Sequence, residues 1–445
     1  MLVEIVVDDR KISVDDSGNL IDELKSHGIE IPHFCYHKAL GVSGNCRMCL
    51  VEVVGQKRPQ IACDTTIKAG MEIKINSELT RKVQRLNLAL ELKNHPLDCP
   101  ICDQAGECRL QDYFMKYDLY NPNVDPSWKV DKPKKQDFGC GVVHDASRCV
   151  LCRRCVRFLQ NCTKTCELGL KGRGELSEIS PFGSRKIDND YAGNIADLCP
   201  VGAMTLRDFR FKQRVWNLQK DEAICQKCSR GCKIEIWSYT DKNTSREIYR
   251  FTSNGDEFIC DEGRYSYKDE NFLQTTIPSG FSFQDCDIVV TSTLSIEEMI
   301  GVDKFAKKTN LRVFGYSEFD DENFVEKTAL KLRQKDKSSN KKGLEKFGFN
   351  TNLDDLKNSV VVFHLGNLEI LKDKFANKNV KFIAPRIDAD LICASSYHRS
   401  GHTIDCDGNL KFSKANFSDR KTLSINEILE KFGGEKVEDI KDFKC

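Results

Sequence analysis

Cysteine is the residue through which this sequence can do chemistry. The chain has 445 residues and 22 cysteines, eighteen of them at or before position 260. Thiolates bind soft metals and iron–sulfur clusters, and thiols close disulfides. The N-terminal run Met1 to Arg10 is acidic and strand-like, unlike a basic leader with an apolar core, so no secretory signal is expected. In a reducing compartment, clustered cysteines point to metal or redox chemistry rather than to disulfides.

Four ligand sets follow one another along the chain. Cys35, Cys46, Cys49 and Cys63 have the spacing C-x10-C-x2-C-x13-C. Four thiolates on a loop that returns to a nearby strand suit a [2Fe–2S] cluster, and Gly41 and Gly44 allow the backbone to fold tightly around inorganic sulfide. His95, Cys99, Cys102 and Cys108 stand in the run HPLDCPICDQAGEC. One imidazole and three thiolates can hold a [4Fe–4S] cluster, and the neutral ring makes that site less negative and raises its potential. Cys149, Cys152, Cys155 and Cys199 form a C-x2-C-x2-C run with a distant fourth cysteine followed by Pro200. In two-cluster ferredoxins a further cysteine follows four positions after such a triad, and Leu159 occupies that position here, so these ligands suffice for one [4Fe–4S] cluster. Cys225, Cys228, Cys232 and Cys260 give C-x2-C-x3-C-x27-C, the pattern of a zinc ribbon or a third cubane site.

Structural zinc also takes four thiolates, or three thiolates and a histidine. Zinc would have to be chosen four times over, whereas one electron-transfer reading accounts for all fifteen cysteines and His95. Cys140, Cys162, Cys166, Cys286, Cys393, Cys406 and Cys445 remain, and are expected to be structural or free thiols. Cys162 and Cys166 lie nearest in sequence to the third set.

The elements that must position these ligands define an α+β multidomain chain. Residues 2–14 read as two strands around Asp8-Asp9, Leu20–His27 as a helix stopped at Gly28, and Leu50–Val54 and Met71–Ile75 as strands. This is a β-grasp, ferredoxin-like layout over 1–78. A helix is expected over 79–93, with Leu86, Leu88, Leu90 and Leu92 among its apolar positions. It opens a second domain over 79–120. Pro122, Pro126 and Pro133 mark 121–137 as a linker. Compact cysteine domains follow at 138–215 and 216–275. Beyond Cys286 the pattern becomes strand–helix–strand. Ile288–Thr291, Leu311–Phe314, Val360–Leu365 and Val380–Ala384 read as strands, and Ser295 with Glu298 has capping-box spacing. Lys331–Lys346 reads as a solvated insertion. Residues 276–445 are thus expected to form a small parallel α/β domain, with no GxGxxG or P-loop to imply a nucleotide.

A net charge of +1 gives no field that would draw nucleic acid or membrane lipid, and no apolar run reaches the length of about 18 residues that a membrane span needs.

The runs IPHFCYHKALGVSGNCRMCLVEV, NHPLDCPICDQAGECRLQD, RCVLCRRCVRF, GNIADLCPVGAMTLRDF, CQKCSRGC and FICDEGR, in this order, resemble the large peripheral-arm iron–sulfur subunit of NADH:quinone oxidoreductase, respiratory complex I. The likeness covers residues 1 to about 275. It implies a [2Fe–2S] cluster on Cys35, Cys46, Cys49 and Cys63, and [4Fe–4S] clusters on the second and third sets. It also implies a further [4Fe–4S] cluster on the fourth, off the main electron path. The 216–275 domain resembles the start of molybdopterin oxidoreductases. SGHTIDCDGNLKF, around Gly401 to Phe412, resembles the remnant of a loop in such a domain, but the region is short and no molybdopterin is expected. Implied partners are a flavin-bearing or other electron-input subunit and downstream cluster subunits, with the assembly peripheral on the cytoplasmic side of the inner membrane. The electron donor stays open between NADH, ferredoxin and flavodoxin. The alternative is the electron-input subunit of a soluble hydrogenase or formate dehydrogenase. Such subunits carry the second ferredoxin cluster that Leu159 argues against.

Overall fold

Alternating burial opens the chain. In β1 (Leu2–Val7) and β2 (Arg10–Asp15) the side chains of Ile5, Val7, Ile12 and Val14 face a core. Asp8 and Asp9 between them both have positive φ, 44° and 69°, as a two-residue turn of the mirror-image type requires. The computed structural model describes all residues except 120–125, 241–245, 256, 270–273, 416–421, 438–439 and 441–445. Part of the expected linker and Cys445 therefore lie outside the described residues. Two compact units are present: Met1–Leu218 with Lys327–Leu330, and Gln219–Glu326 with Lys331–Cys445.

In the first unit, α1 (Leu20–Ser26) is capped by the Asn19 side chain, which accepts from Ile21 N–H, and ends before Gly28 at φ 75°. β3 (Leu50–Val53), β4 (Gln60–Ile61) and β5 (Glu72–Lys74) complete a sheet in the order β2-β1-β5-β3-β4, with β1 and β5 parallel. The expected β-grasp layout is present. α2 (Glu78–Asn94) starts on the Ser77 cap. Its leucines divide: Leu88 and Leu92 are buried, whereas Leu86 and Leu90 are 58% and 69% exposed. A polar face joins the buried pair, with Gln84 donating to Leu50 O at 2.9 Å and Thr80 donating to Lys74 O at 2.7 Å. Two apolar rows lie on the helix, and only one meets the core.

α3 (Arg109–Lys116) follows the second ligand set. β6 (Gln136–Gly139), β7 (Val142–His144), α4 (Arg154–Arg157), the hairpin β8 (Leu168–Lys171) and β9 (Glu178–Pro181), α5 (Asn194–Leu198) and β10 (Met204–Leu206) build the third-set region. Its sheet runs β10-β7-β6.

The second unit opens with an antiparallel sheet of β11 (Gln219–Ile224), β12 (Lys233–Thr240) and β13 (Arg246–Ser253), followed by α6 (Asp261–Arg264). The parallel domain contains β14 (Asp287–Thr291), α7 (Ile296–Thr309), β15 (Val313–Tyr316), α8 (Lys341–Phe347), β16 (Ser359–Phe363), α9 (Glu369–Lys374), β17 (Asn379–Ala384) and β18 (Leu391–Ile392). The strands are parallel in the order β15-β14-β16-β17-β18. The Ser295–Glu298 capping box is formed. Lys331–Lys346 is not a solvated insertion: Ser338, Ser339 and Asn340 are buried, and Leu344 of α8 joins the core. Asn340 is the reason, because its amide donates to Leu294 O and accepts from Ile404 N–H, both at 2.8 Å. SGHTIDCDGNLKF is a β-hairpin rather than a loop, formed by β19 (Gly401–Ile404) and β20 (Leu410–Ser413). α10 (Ile425–Lys431) closes the unit. No helix among the described residues is long and apolar enough to cross a membrane.

Candidate metal centres

The loop from Cys35 to Cys49 needs backbone turns that few residues adopt. Gly41, Gly44 and Arg47 supply them at φ 72°, 63° and 53°. The result places the first-set thiols in two hydrogen-bonded pairs, Cys35 with Cys46 and Cys49 with Cys63. All four are buried. Cys46 donates to Cys35 and so draws its pKa down to about 5, while the same bond and burial push Cys46 up. Electrostatic interactions between Cys63 and Cys35, and between Cys49 and Cys46, join the pairs into one group. Phe34 N–H lies 3.5 Å from Cys46 Sγ.

In the second set, Cys99, Cys102 and Cys108 interact with one another, and burial pushes Cys108 up to about 11. His95 ends α2 and is buried. Desolvation holds its imidazole down to about 4, so the ring is neutral, as ligation demands. Leu97 N–H is 3.3 Å from its Nδ1. Its charged neighbours are Asp98, Lys129, Arg148 and Asp145, and Asp98 and Arg148 frame the second set through a bidentate pair at 3.0 and 2.6 Å. His95 also lines a cavity of about 170 Å³ with Glu91, Lys132 and Cys149.

The third set surrounds a single space. Cys149, Cys152, Cys155 and Cys199 line one small cavity. Leu151 and Arg153 adopt left-handed backbone at φ 48° and 60°, which folds the C-x2-C-x2-C run into a nest of inward N–H groups. Leu151 N–H approaches Cys149 Sγ at 3.4 Å. Backbone N–H groups of Val201, Ala203 and Met204 bond Cys199. Burial and the neighbouring thiols raise all four, Cys152 to about 12.

The fourth set lies in the second unit. Cys225 interacts with Cys228, Cys232 and Cys260, and burial raises every member, Cys232 and Cys260 to about 12. Gly263 N–H is 3.3 Å from Cys260 Sγ.

Three observations fit iron–sulfur clusters to these donors. Every described cysteine is a free thiol. Burial raises Cys102 and Cys108 of the second set and every cysteine of the third and fourth, so those thiols stay neutral until a metal draws off the protons. Glycine lies against the sulfurs where a side chain has no room: a Cβ on Gly202 would stand 2.2 Å from Cys102 Sγ, and one on Gly263 would stand 2.9 Å from Cys225 Sγ. Among the described residues no three His, Cys, Asp or Glu side chains are drawn close enough to grip a single ion. Neither glycine was singled out from the sequence. CPVGA and DEGR do place each three residues beyond a ligand, but only the fold brings Gly202 to a different set.

Three sets share one dry interior. A single apolar cluster contains Cys35 and Cys46 of the first set, Cys108 of the second and Cys152 of the third, packed with Phe34, Met48, Leu88 and Val201. Cys35 acts electrostatically on Cys152, and Cys108 on Cys199. Asn45 donates to Leu151 O at 2.7 Å, and Arg109 N–H to Pro200 O at 3.0 Å.

Of the remaining cysteines, Cys286 and Cys393 are buried in the α/β core. Cys162 is half-buried and Cys166 exposed. The unassigned thiol that does approach a ligand set is Cys406, in the turn of the β19–β20 hairpin. Its N–H donates to Ser229 O at 2.6 Å, and its sulfur bonds Arg230, which also acts on Cys232.

Three family models match the chain. Residues 1–78 match a 2Fe-2S iron-sulfur cluster binding domain, and 84–122 the NADH-ubiquinone oxidoreductase-G iron-sulfur binding region. Residues 139–205 match the ferredoxin-like domain of NADH-quinone oxidoreductase subunit 3. The mitochondrial 78 kDa subunit of NADH-ubiquinone oxidoreductase from Neurospora crassa is 36% identical over 277 residues, 62% of this chain and 37% of that protein. The 75 kDa subunit of NADH-ubiquinone oxidoreductase from Reclinomonas americana is 37% identical over 267 residues, 60% of this chain and 38% of that protein. A bacterial NADH-quinone oxidoreductase subunit, from Streptomyces coelicolor, is 35% identical over 273 residues, 60% and 32% of the two chains. The chain thus matches about two-fifths or less of these relatives' length. A solved chain from an NAD+-reducing [NiFe]-hydrogenase in the H2-reduced state aligns with a TM-score of 0.43 and 26% identity, covering 48% of this chain and 91% of that one.

Proposed function

From the kinship of this chain with the 75–78 kDa iron–sulfur subunits of NADH-quinone oxidoreductases and their bacterial counterparts, we propose that it relays single electrons within such a complex, from an input subunit towards quinone. The observation that carries this reading is the shared apolar cluster holding cysteines of three ligand sets. A relay needs its carriers close together and dry, and independent structural metal sites need neither.

The proposed ligands are Cys35, Cys46, Cys49 and Cys63 for a [2Fe–2S] cluster, and the second, third and fourth sets for one [4Fe–4S] cluster each. When bound, such clusters supply one-electron carriers. The residues of the chain do the rest. Thiolates and the neutral His95 ring hold the iron. Phe34, Met48, Leu88 and Val201 exclude water. The N–H groups of Phe34, Leu151 and Gly263 face ligand sulfurs, and such donors set potentials. The Cys35–Cys152 and Cys108–Cys199 interactions support a relay order of first, third, second set, which differs from the order along the chain. No bond to a substrate forms on this chain. Its partners in this reading are an electron-input subunit and downstream cluster subunits, with the assembly on the cytoplasmic face of the membrane.

Anaerobic purification with iron and acid-labile sulfide analysis tests the reading. It expects about fourteen irons per chain and separate EPR signals for one binuclear and three cubane clusters. Colourless protein loaded with zinc overturns it.

A further inference from the structure

Arg154 and Arg157 lie on α4, flanking Cys155 of the third set. They are only 3% and 9% exposed, yet among the described residues neither has a carboxylate within ion-pair distance. Their guanidinium groups are spent on backbone oxygens, four of them in the first-set loop. Arg157 donates to Leu40 O at 3.2 Å, to Gly41 O at 2.8 Å and to Cys35 O, and Arg154 donates to Tyr36 O and to Leu198 O at 3.3 Å. In both residues the Nε group is buried and has no hydrogen-bond partner. Arg148 makes the contrast. It is equally buried, but it is paired with Asp98 at 2.6 Å and Asp145 at 3.5 Å. An isolated guanidinium is costly to bury, so two without carboxylates need a negative charge from elsewhere. The groups that would favour their charge once ionised are cysteines of the ligand sets: Cys152 and Cys199 for Arg154, and Cys35, Cys152 and Cys155 for Arg157.

We propose that Arg154 and Arg157 are potential-setting residues, a buried cationic bridge that holds the first-set loop against the third-set helix and stabilises the reduced, more negative state of both clusters. This deepens the proposed relay and rests on it. Burial shields the two charges from solvent and salt, so their effect falls on the two clusters they separate. The second set has a buried cation of its own, Arg148, already paired with Asp98 and Asp145.

The test is an EPR redox titration of the anaerobically purified full chain, as wild type, Arg157→Gln and Arg157→Lys, with the same pair at position 154. Iron and sulfide content is measured on every sample, so absence of clusters from the wild type identifies failure of the relay reading itself. With clusters present, the Gln variants are expected to lower the midpoints of the [2Fe–2S] signal and the third-set signal. The Lys variants should restore most of that shift, and the second-set signal should move less than the other two. Unchanged midpoints in cluster-replete Gln variants overturn the proposal. Loss of the first or third cluster from Lys and Gln variants alike also overturns it, because carbonyl pinning rather than charge would then be the role.

Discussion

The Cα of Gly202 presses on Cys102: a Cβ there would lie 2.2 Å from the ligand sulfur and 3.1 Å from Gln104 Cβ. Gly202 follows Cys199 of the third set, so the turn that ends one ligand set walls the other. Gly202→Ala is therefore expected to damage the distant set and spare the near one. Iron should fall by about four atoms per chain, with the second-set EPR signal lost and the third-set signal retained. Loss of the third-set signal alone would contradict the contact.

His95→Cys should keep a cluster at the second set and lower its midpoint potential, since a thiolate adds a negative charge that the neutral ring lacks. The ring is already held neutral by burial. A redox titration that finds the same midpoint in variant and wild type removes His95 from the ligands.

Cys228→Ala should abolish one [4Fe–4S] signal and leave the other three clusters reducible at unchanged rates. The fourth set belongs to the second compact unit, and none of its cysteines is a member of the apolar cluster that joins the other three. Stopped-flow reduction by dithionite checks this, and slowed reduction of the [2Fe–2S] cluster counts against an off-path position.

The iron-free chain should weaken as the solution becomes alkaline. Burial raises Cys108 to about 11 and Cys152 and Cys260 to about 12, whereas a thiol in the unfolded chain titrates near about 8.5. Below that pH both states are protonated and the folded preference is complete. As pH rises towards 11–12 the unfolded chain sheds protons that the folded one keeps, so stability falls. Urea midpoints at pH 8, 9 and 10 should decline in iron-free protein and stay flatter in loaded protein, whose ligand thiols have already lost their protons.

Much of this molecule follows from short-range sequence rules. The Asp8-Asp9 turn, the Ser295 cap and the stop at Gly28 depend on neighbours a few positions away, and each formed where its residues indicated. The candidate ligand sets could be named for the same reason, because their C-x2-C pairs are a local geometry, whereas distant members such as Cys63, Cys199 and Cys260 are not. Tertiary packing decided the rest. Leu86 and Leu90 share a pattern with Leu88 and Leu92, and only contact with the core separates exposed from buried. The lysines of 331–346 mask Asn340, whose burial depends on Leu294 and Ile404 far away in the chain. Gly202 against Cys102, the arginines of α4 on the Cys35 loop and the third set beside both others are long-range meetings of backbone and side chain. Spacing along a chain carries no record of such meetings, because they arise only when separate elements bury their apolar faces in one shared interior.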